Sequence, residues 1–188
     1  MYDRIIVPIE EGATELPDQA CPLARELGCE LTLLHVHHIR EAPTELEGLP
    51  QYRYQGVIES WDERDLELEA RETEWLAAMA EEVAAAAPDL AVSSRVVHAP
   101  LARTLRTSDE SVLIVAPAED VHIDGLSRTV LELLRGGGLP VLVYRPEARL
   151  LPIRRMLIAL DGSGFSEEVL PPALELARAT GAGLSLVE

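Results

Sequence analysis

One phrase of this chain occurs twice. Arg4-Ile5-Ile6-Val7-Pro8-Ile9-Glu10 returns 151 positions later as Arg155-Met156-Leu157-Ile158-Ala159-Leu160-Asp161, and Leu23-Ala24-Arg25 with Gly28 returns 153 positions later as Leu176-Ala177-Arg178 with Gly181. Leu31-Thr32-Leu33-Leu34 likewise has its counterpart in Leu184-Ser185-Leu186-Val187. Each copy reads as strand, helix, strand: an unbroken apolar run of the kind buried on both faces, an apolar stripe spaced by threes and fours that ends at glycine, and a second apolar run. A phrase written twice must fold the same way twice, so the repeat constrains the fold more than any count of residue types. The first copy is two residues shorter between its strand and its helix.

The segment between the copies continues the alternation. Leu16, Ala20, Leu23, Ala24 and Leu27 form the stripe of the first helix, and a loop over 39–58 follows with Pro43, Gly48, Pro50 and Gly56. From Glu59 to Ala87 the apolar positions Leu68, Trp75, Leu76, Met79, Val83 and Ala86 hold helical spacing. The acids between them, against Arg64 and Arg71, are expected to form a solvated face. Ala91–His98 reads as a third strand, Leu101–Arg106 as a short helix and Ser111–Ala116 as a fourth strand. Ser127 is placed to cap a helix that runs to Arg135, with Gly136, Gly137 and Gly138 before a fifth strand, Pro140–Tyr144. Strands alternating with helices predict an α/β fold with an open, parallel, doubly wound sheet and helices on both faces. The expected division is a complete domain over 1–146, a linker over 147–152, and the first β-α-β of a second domain over 153–188. Two strands do not complete such a sheet, so the chain is expected to carry only the start of that second domain.

Charge bears on partners. With 16 basic against 33 acidic residues the formal net charge is −17, which repels phosphate backbones and anionic lipid surfaces and so argues against nucleic-acid or membrane binding. No apolar run is long enough for a membrane helix and Met1-Tyr2-Asp3-Arg4 leads directly into a strand, so a cytoplasmic protein is expected. Cys21 and Cys29 lack the spacing of a metal or disulfide framework and read as reduced packing residues.

The opening strand with its turn, the phrase Gly28-Cys29-Glu30-Leu31-Thr32-Leu33-Leu34-His35-Val36, and the closing Leu139-Pro140-Val141-Leu142-Val143-Tyr144-Arg145 resemble the universal stress protein family. The resemblance covers 1–146 and restarts at 153, as in tandem two-domain members. It implies sheet order 3-2-1-4-5, dimerisation through the last strand and, in many members, ATP at the carboxyl ends of strands 1 and 4. ATP-binding members carry an aspartate after strand 1 and a Gly-x2-Gly-x9-Gly-Ser/Thr loop after strand 4, whose glycines let backbone N–H groups approach the phosphates. Here Glu10 stands for the aspartate, Pro117 and Asp120 for the first two glycines, and Ser127-Arg128 for the Gly-Ser pair. Ala99 replaces the glycine after strand 3, while Val36 and Ala116 close the strands that flank the site. Proline has no N–H to donate, and Glu119, Asp120 and Asp124 bring negative charge to where phosphates would lie. The first domain is therefore expected not to bind ATP, and no cofactor is expected in this chain. Asp161-Gly162-Ser163 matches the family turn and would form half of a nucleotide site in an intact second domain.

The functional expectation is a non-catalytic stress-response or regulatory protein acting through protein association. One alternative is an ATP-binding sensor with its site in the second domain. Another is a metal-responsive binder at the His35–His38 edge: His35 and His37 share a strand face, and His98 or His122 could supply a third ligand, although no spacing signature marks a metal site and the histidines beyond His35 also read as the start of a solvated loop. Ser127 lacks a nucleophile elbow, which argues against hydrolase chemistry. A homodimer is expected, through strand 140–144 or through an exchanged 153–188 segment.

Overall fold

The computed structural model describes residues 2–10, 13, 19–37, 55–98, 111–118, 130–131, 134–135, 138–145 and 149–188, with 55–62 as backbone only. Strands β1 (Arg4–Pro8), β2 (Glu30–His37), β3 (Val92–His98), β4 (Val112–Pro117) and β5 (Val141–Tyr144) form one sheet in the order β3-β2-β1-β4-β5. Every pairing is parallel, so the expected α/β architecture and strand order both hold. Helix α1 (Ala20–Leu27) links β1 to β2, and α2 (Gln55–Ala86) links β2 to β3. Val130, Leu131, Leu134 and Arg135 are helical, in keeping with a helix before β5. The loop over 39–54, the 101–106 helix and the Ser127 cap lie outside the described residues.

Side chains that alternate along the strands build two cores. Ile5 and Val7 of β1 and Leu31 and Leu33 of β2 pack with Leu23, Ala24 and Leu27 of α1 and with Leu76, Met79, Ala80 and Val83 of α2. Ile6, Leu34, Val36, Val97, Val112 and Ile114 point to the opposite face. Cys29 is buried beside α1, and Cys21 and Cys29 form no disulfide; burial pushes the Cys29 thiol up to about 11. Helix α2 begins at Gln55, four residues before the expected start. Gly56 reads locally as a loop residue, but one glycine costs a helix only about 1 kcal/mol, which a helix of 32 residues outweighs.

After the linker, β6 (Arg155–Ala159), α3 (Gly164–Glu167), α4 (Leu170–Thr180) and β7 (Gly183–Val187) form a second, two-stranded parallel sheet with its helices. Its hydrogen bonds repeat those of the first unit at the offsets found in the sequence. Ile9 N donates to Leu34 O at 2.7 Å and Leu160 N to Val187 O at 2.8 Å; Glu30 N donates to Asp3 O at 3.2 Å and Gly183 N to Arg154 O at 3.0 Å. Both α1 and α4 end on a left-handed glycine, Gly28 at φ 65° and Gly181 at φ 68°. The second unit leaves Leu157 72% exposed on its sheet.

The two units share a core. Leu176 of α4 is buried in the cluster that contains Ala20 and Leu23 of α1. Tyr2 Oη donates to Pro172 O at 3.1 Å and Leu150 N donates to Gln19 Oε1 at 3.2 Å. Burial pushes the Tyr2 phenol up to about 12. Leu176→Ala is therefore expected to destabilise the whole chain by about 2–5 kcal/mol in urea denaturation; an unchanged midpoint for the first unit would show that the two cores are independent.

Candidate functional site

Strand β1 pairs with β4 only as far as Ile6 opposite Ile114. Beyond that point β1 continues beside β2 to Pro8 opposite Leu34, and β4 continues beside β5 to Pro117 opposite Tyr144. The β1–β4 pairing ends there, and it is at such a divergence, at the carboxyl ends of the strands, that open parallel sheets have their ligand crevice.

One wall of the crevice is Pro8, Ile9 and Glu10. The Ile9 peptide is fixed on both sides: its N–H donates to Leu34 O, and its carbonyl lies 2.8 Å from His35 Nδ1. A carbonyl only accepts, so Nδ1 of His35 carries the proton. Glu10 follows directly, and its Oε1 is buried with no hydrogen-bond partner among the described residues. The other wall is Ala116, Pro117 and Ala118. Pro117 has no N–H, and the Ala118 N–H donates across the sheet to Tyr144 O at 2.7 Å. The first two backbone positions leaving β4 thus offer an anion no free donor. Val36 and Ala116 are buried in the sheet. Ala99, Asp120, Ser127 and Arg128 lie outside the described residues, as do Glu119, Asp124, His38 and His122.

The equivalent turn of the second unit is built differently. Asp161 Oδ1 accepts from Ser163 N at 2.9 Å across Gly162, whose φ is +75°. Ser163 caps α3 by accepting from Ser166 N at 3.1 Å, and Asp161 N donates to Ser166 Oγ at 3.3 Å. Hydrogen bonds from Ser163 and Ser166 hold the Asp161 carboxyl down at about 2. Asp161, Gly162 and Ser163 therefore come together as one turn at a helix start.

A cluster not foreseen as a unit lies on the α2 face of β2 and β3. His37 is 0% exposed, and its Nδ1 lies 2.6 Å from Glu72 Oε2. Its Nε2 lies 3.3 Å from Asp65 Oδ2, yet outside hydrogen-bond alignment. His35 Nε2 is 3.6 Å from Glu72 Oε1, and His98 Nε2 is 3.5 Å from Glu69 Oε1. Burial by itself would lower the His37 imidazolium, but the neighbouring Glu72 and Asp65 outweigh it and the net shift is upward. This corrects two expectations. His37 does not begin a solvated loop, and the acids of α2 are not all solvated, since Glu72 is only 7% exposed. The Nδ1 atoms of His35 and His37 are turned to Ile9 O and to Glu72, and their Nε2 atoms face Glu72 and Asp65. Counting back from Leu76 by four, seven and eleven reaches Glu72, Glu69 and Asp65, so the buried stripe of α2 was legible had it been followed through its acids.

The sequence profile described as "Universal stress protein family" matches residues 1–124. The chain belongs to the universal stress protein family. No curated protein sequence matches it. Among solved structures, universal stress protein UspA from Lactobacillus plantarum is similar at 18% identity and a TM-score of 0.50, over 77% of this chain and 98% of that one. A universal stress protein family member from Burkholderia pseudomallei is 20% identical with a TM-score of 0.44, over 76% of this chain and 96% of that one. At such identities the likeness to UspA speaks for the fold alone, and it agrees with the sheet order found here. Family membership supports a stress-response protein. No described helix of this universal stress protein is long and apolar enough to cross a membrane.

The low-lying Asp161 carboxyl has a testable consequence. Its folded value lies below the unfolded one of about 3.9, so the stabilisation of the turn is present above that value and is lost as pH falls through about 2. A carboxyl titration by NMR should find Asp161 titrating near 2, and Asp161→Ala should fray α3 at neutral pH.

Proposed function

We propose that this universal stress protein is a non-catalytic regulator whose first unit does not use ATP and which acts through protein association in the cytoplasm. The observation that carries this reading is the pair Pro117 and Ala118: one has no N–H, and the other spends its N–H on Tyr144. Glu10 adds a buried oxygen that has no partner among the described residues on the facing wall, so a nucleotide phosphate entering the crevice meets an acceptor and no free backbone donor at these positions. Neither nucleic acid nor a membrane surface suits a chain with a charge of −17.

A second reading rests on Asp161-Gly162-Ser163. That turn is preformed and exposed, and in a sensor it would serve as the adenine-side half of an ATP site belonging to the second unit. The metal reading at the His35–His38 edge has weaker support, because among the described residues no three His, Cys, Asp or Glu side chains are placed to hold a metal ion. For self-association the strand route is favoured: β5 is an edge of the sheet with Val143 exposed, whereas 153–188 already docks on α1 of its own chain.

Calorimetry with ATP on the full chain should show no dissociation constant below about 100 μM, or roughly −5.5 kcal/mol; tighter binding overturns the first reading. The triple change Pro117→Gly, Asp120→Gly and Ser127→Gly should raise the affinity, while ATP binding abolished by Asp161→Ala would favour the sensor. Light scattering at tens of micromolar should give a dimer, and a stable monomer would refute the association through β5.

A further inference from the structure

Helix α2 is attached to the sheet by two different materials. Its C-terminal half buries Leu76, Met79, Ala80 and Val83. On the same stripe, one to three turns earlier, stand Glu72, Glu69 and Asp65, and these meet histidines of β2 and β3 in place of aliphatic side chains. His37 and His98 are register partners on the two strands, so the acidic half of the helix stripe is matched to an imidazole patch. We propose that His37 is a proton-operated clamp: its imidazolium, gripped between Glu72 and Asp65, docks the N-terminal half of α2 on the carboxyl ends of β2 and β3, and loss of that proton releases it.

The proton count supports this. Both ring nitrogens of His37 face carboxylate oxygens, at 2.6 and 3.3 Å. A neutral imidazole has one N–H, so with Nδ1–H committed to Glu72 it would turn the lone pair of Nε2 toward Asp65, acceptor against acceptor. Only the imidazolium sets a positive charge between the two carboxylates. Among the described residues the charged and titratable groups of this cluster are Asp65, Glu69 and Glu72 from α2, His35 from β2 and His98 from β3. His35 has its Nδ1 proton committed to Ile9 O. Among the described residues these three carboxylates pair with histidines and with no arginine, and the chain has no lysine. Charge balance at this end of α2 therefore depends on histidine protonation. Among the described residues no group of three His, Cys, Asp or Glu is placed to hold a metal ion, which favours a proton over a cation as the occupant.

The sign follows from the direction of the shift. A histidine raised above its unfolded value of about 6.5 contributes stability that is complete below that value and is lost as pH rises through the folded one. The arm is docked below the ordinary histidine value and is released as pH rises through the raised one. This inference does not depend on whether the chain binds nucleotide.

Two measurements on the full chain without a polyhistidine tag test it. Ring-nitrogen NMR should show His37 titrating above about 6.5. Amide protection of residues 63–74, corrected for intrinsic exchange, should fall about tenfold or more across the same midpoint while residues 76–83 keep theirs. Glu72→Gln, nearly isosteric, should move both midpoints down together, and Glu74→Gln, on the exposed side of α2, should leave both in place. Titration of His37 at or below the ordinary value, or protection that does not follow the ring, overturns the clamp. So does one equivalent of zinc retained by the purified chain, which would make the cluster a metal site.

Discussion

Strand β1 has no free side. It is hydrogen-bonded to β2 along one edge and to β4 along the other, and Ile5, Ile6 and Val7 are buried on both faces of the sheet. Both cores meet at these residues. The crevice exists because the two edges of β1 end unequally: contact with β4 stops at Ile6, while contact with β2 runs on to Pro8. A polar side chain at Ile5 or Val7 would leave a buried group without a partner in a strand that reaches both cores.

The fold was legible because its signals are local. Apolar runs over Arg4–Ile9 and Leu31–Val36 mark strands buried on both faces, and Gly28 and Gly181 mark helix ends where a positive φ is needed. Within the candidate site, the loss of a donor at Pro117 was equally legible, since proline lacks an N–H in any fold. The Ala118 N–H and the buried oxygen of Glu10 were not, because each depends on a register or a burial that only the assembled sheet defines. The acids of α2 illustrate the same limit. Charge counting assigns Asp65, Glu69 and Glu72 to solvent, and what turns them to the sheet, Glu72 buried and the other two half-buried, is the phase of Leu76 and Val83 together with histidines that arrive from two other strands.

Helix α1 is only eight residues long, too short to persist alone. Small and branched residues, Ala20, Leu23, Ala24 and Leu27, let it pack close to β1 and β2, while α4 covers it from outside through Leu176. The second unit therefore contributes an outer layer to the first, and Tyr2 ties the two through Pro172. The duplicated hydrogen bonds at Ile9 and Leu160, and at the two glycine caps, show that the same local geometry serves a strand enclosed on both sides and one that is not.

The length of α2 has a mechanical meaning. Its 32 residues span about 48 Å, whereas the seven residues of β3 span about 23 Å, so with Asp65, Glu69 and Glu72 released from their histidines the helix would overhang the sheet as a cantilever whose root is the Leu76–Val83 packing. From Leu76 to Gln55 the overhang is about 32 Å. A tilt of about ten degrees at the root would carry the tip through about 5 Å by that length, a displacement as large as a helical turn, from a change confined to a few side chains beside the pivot.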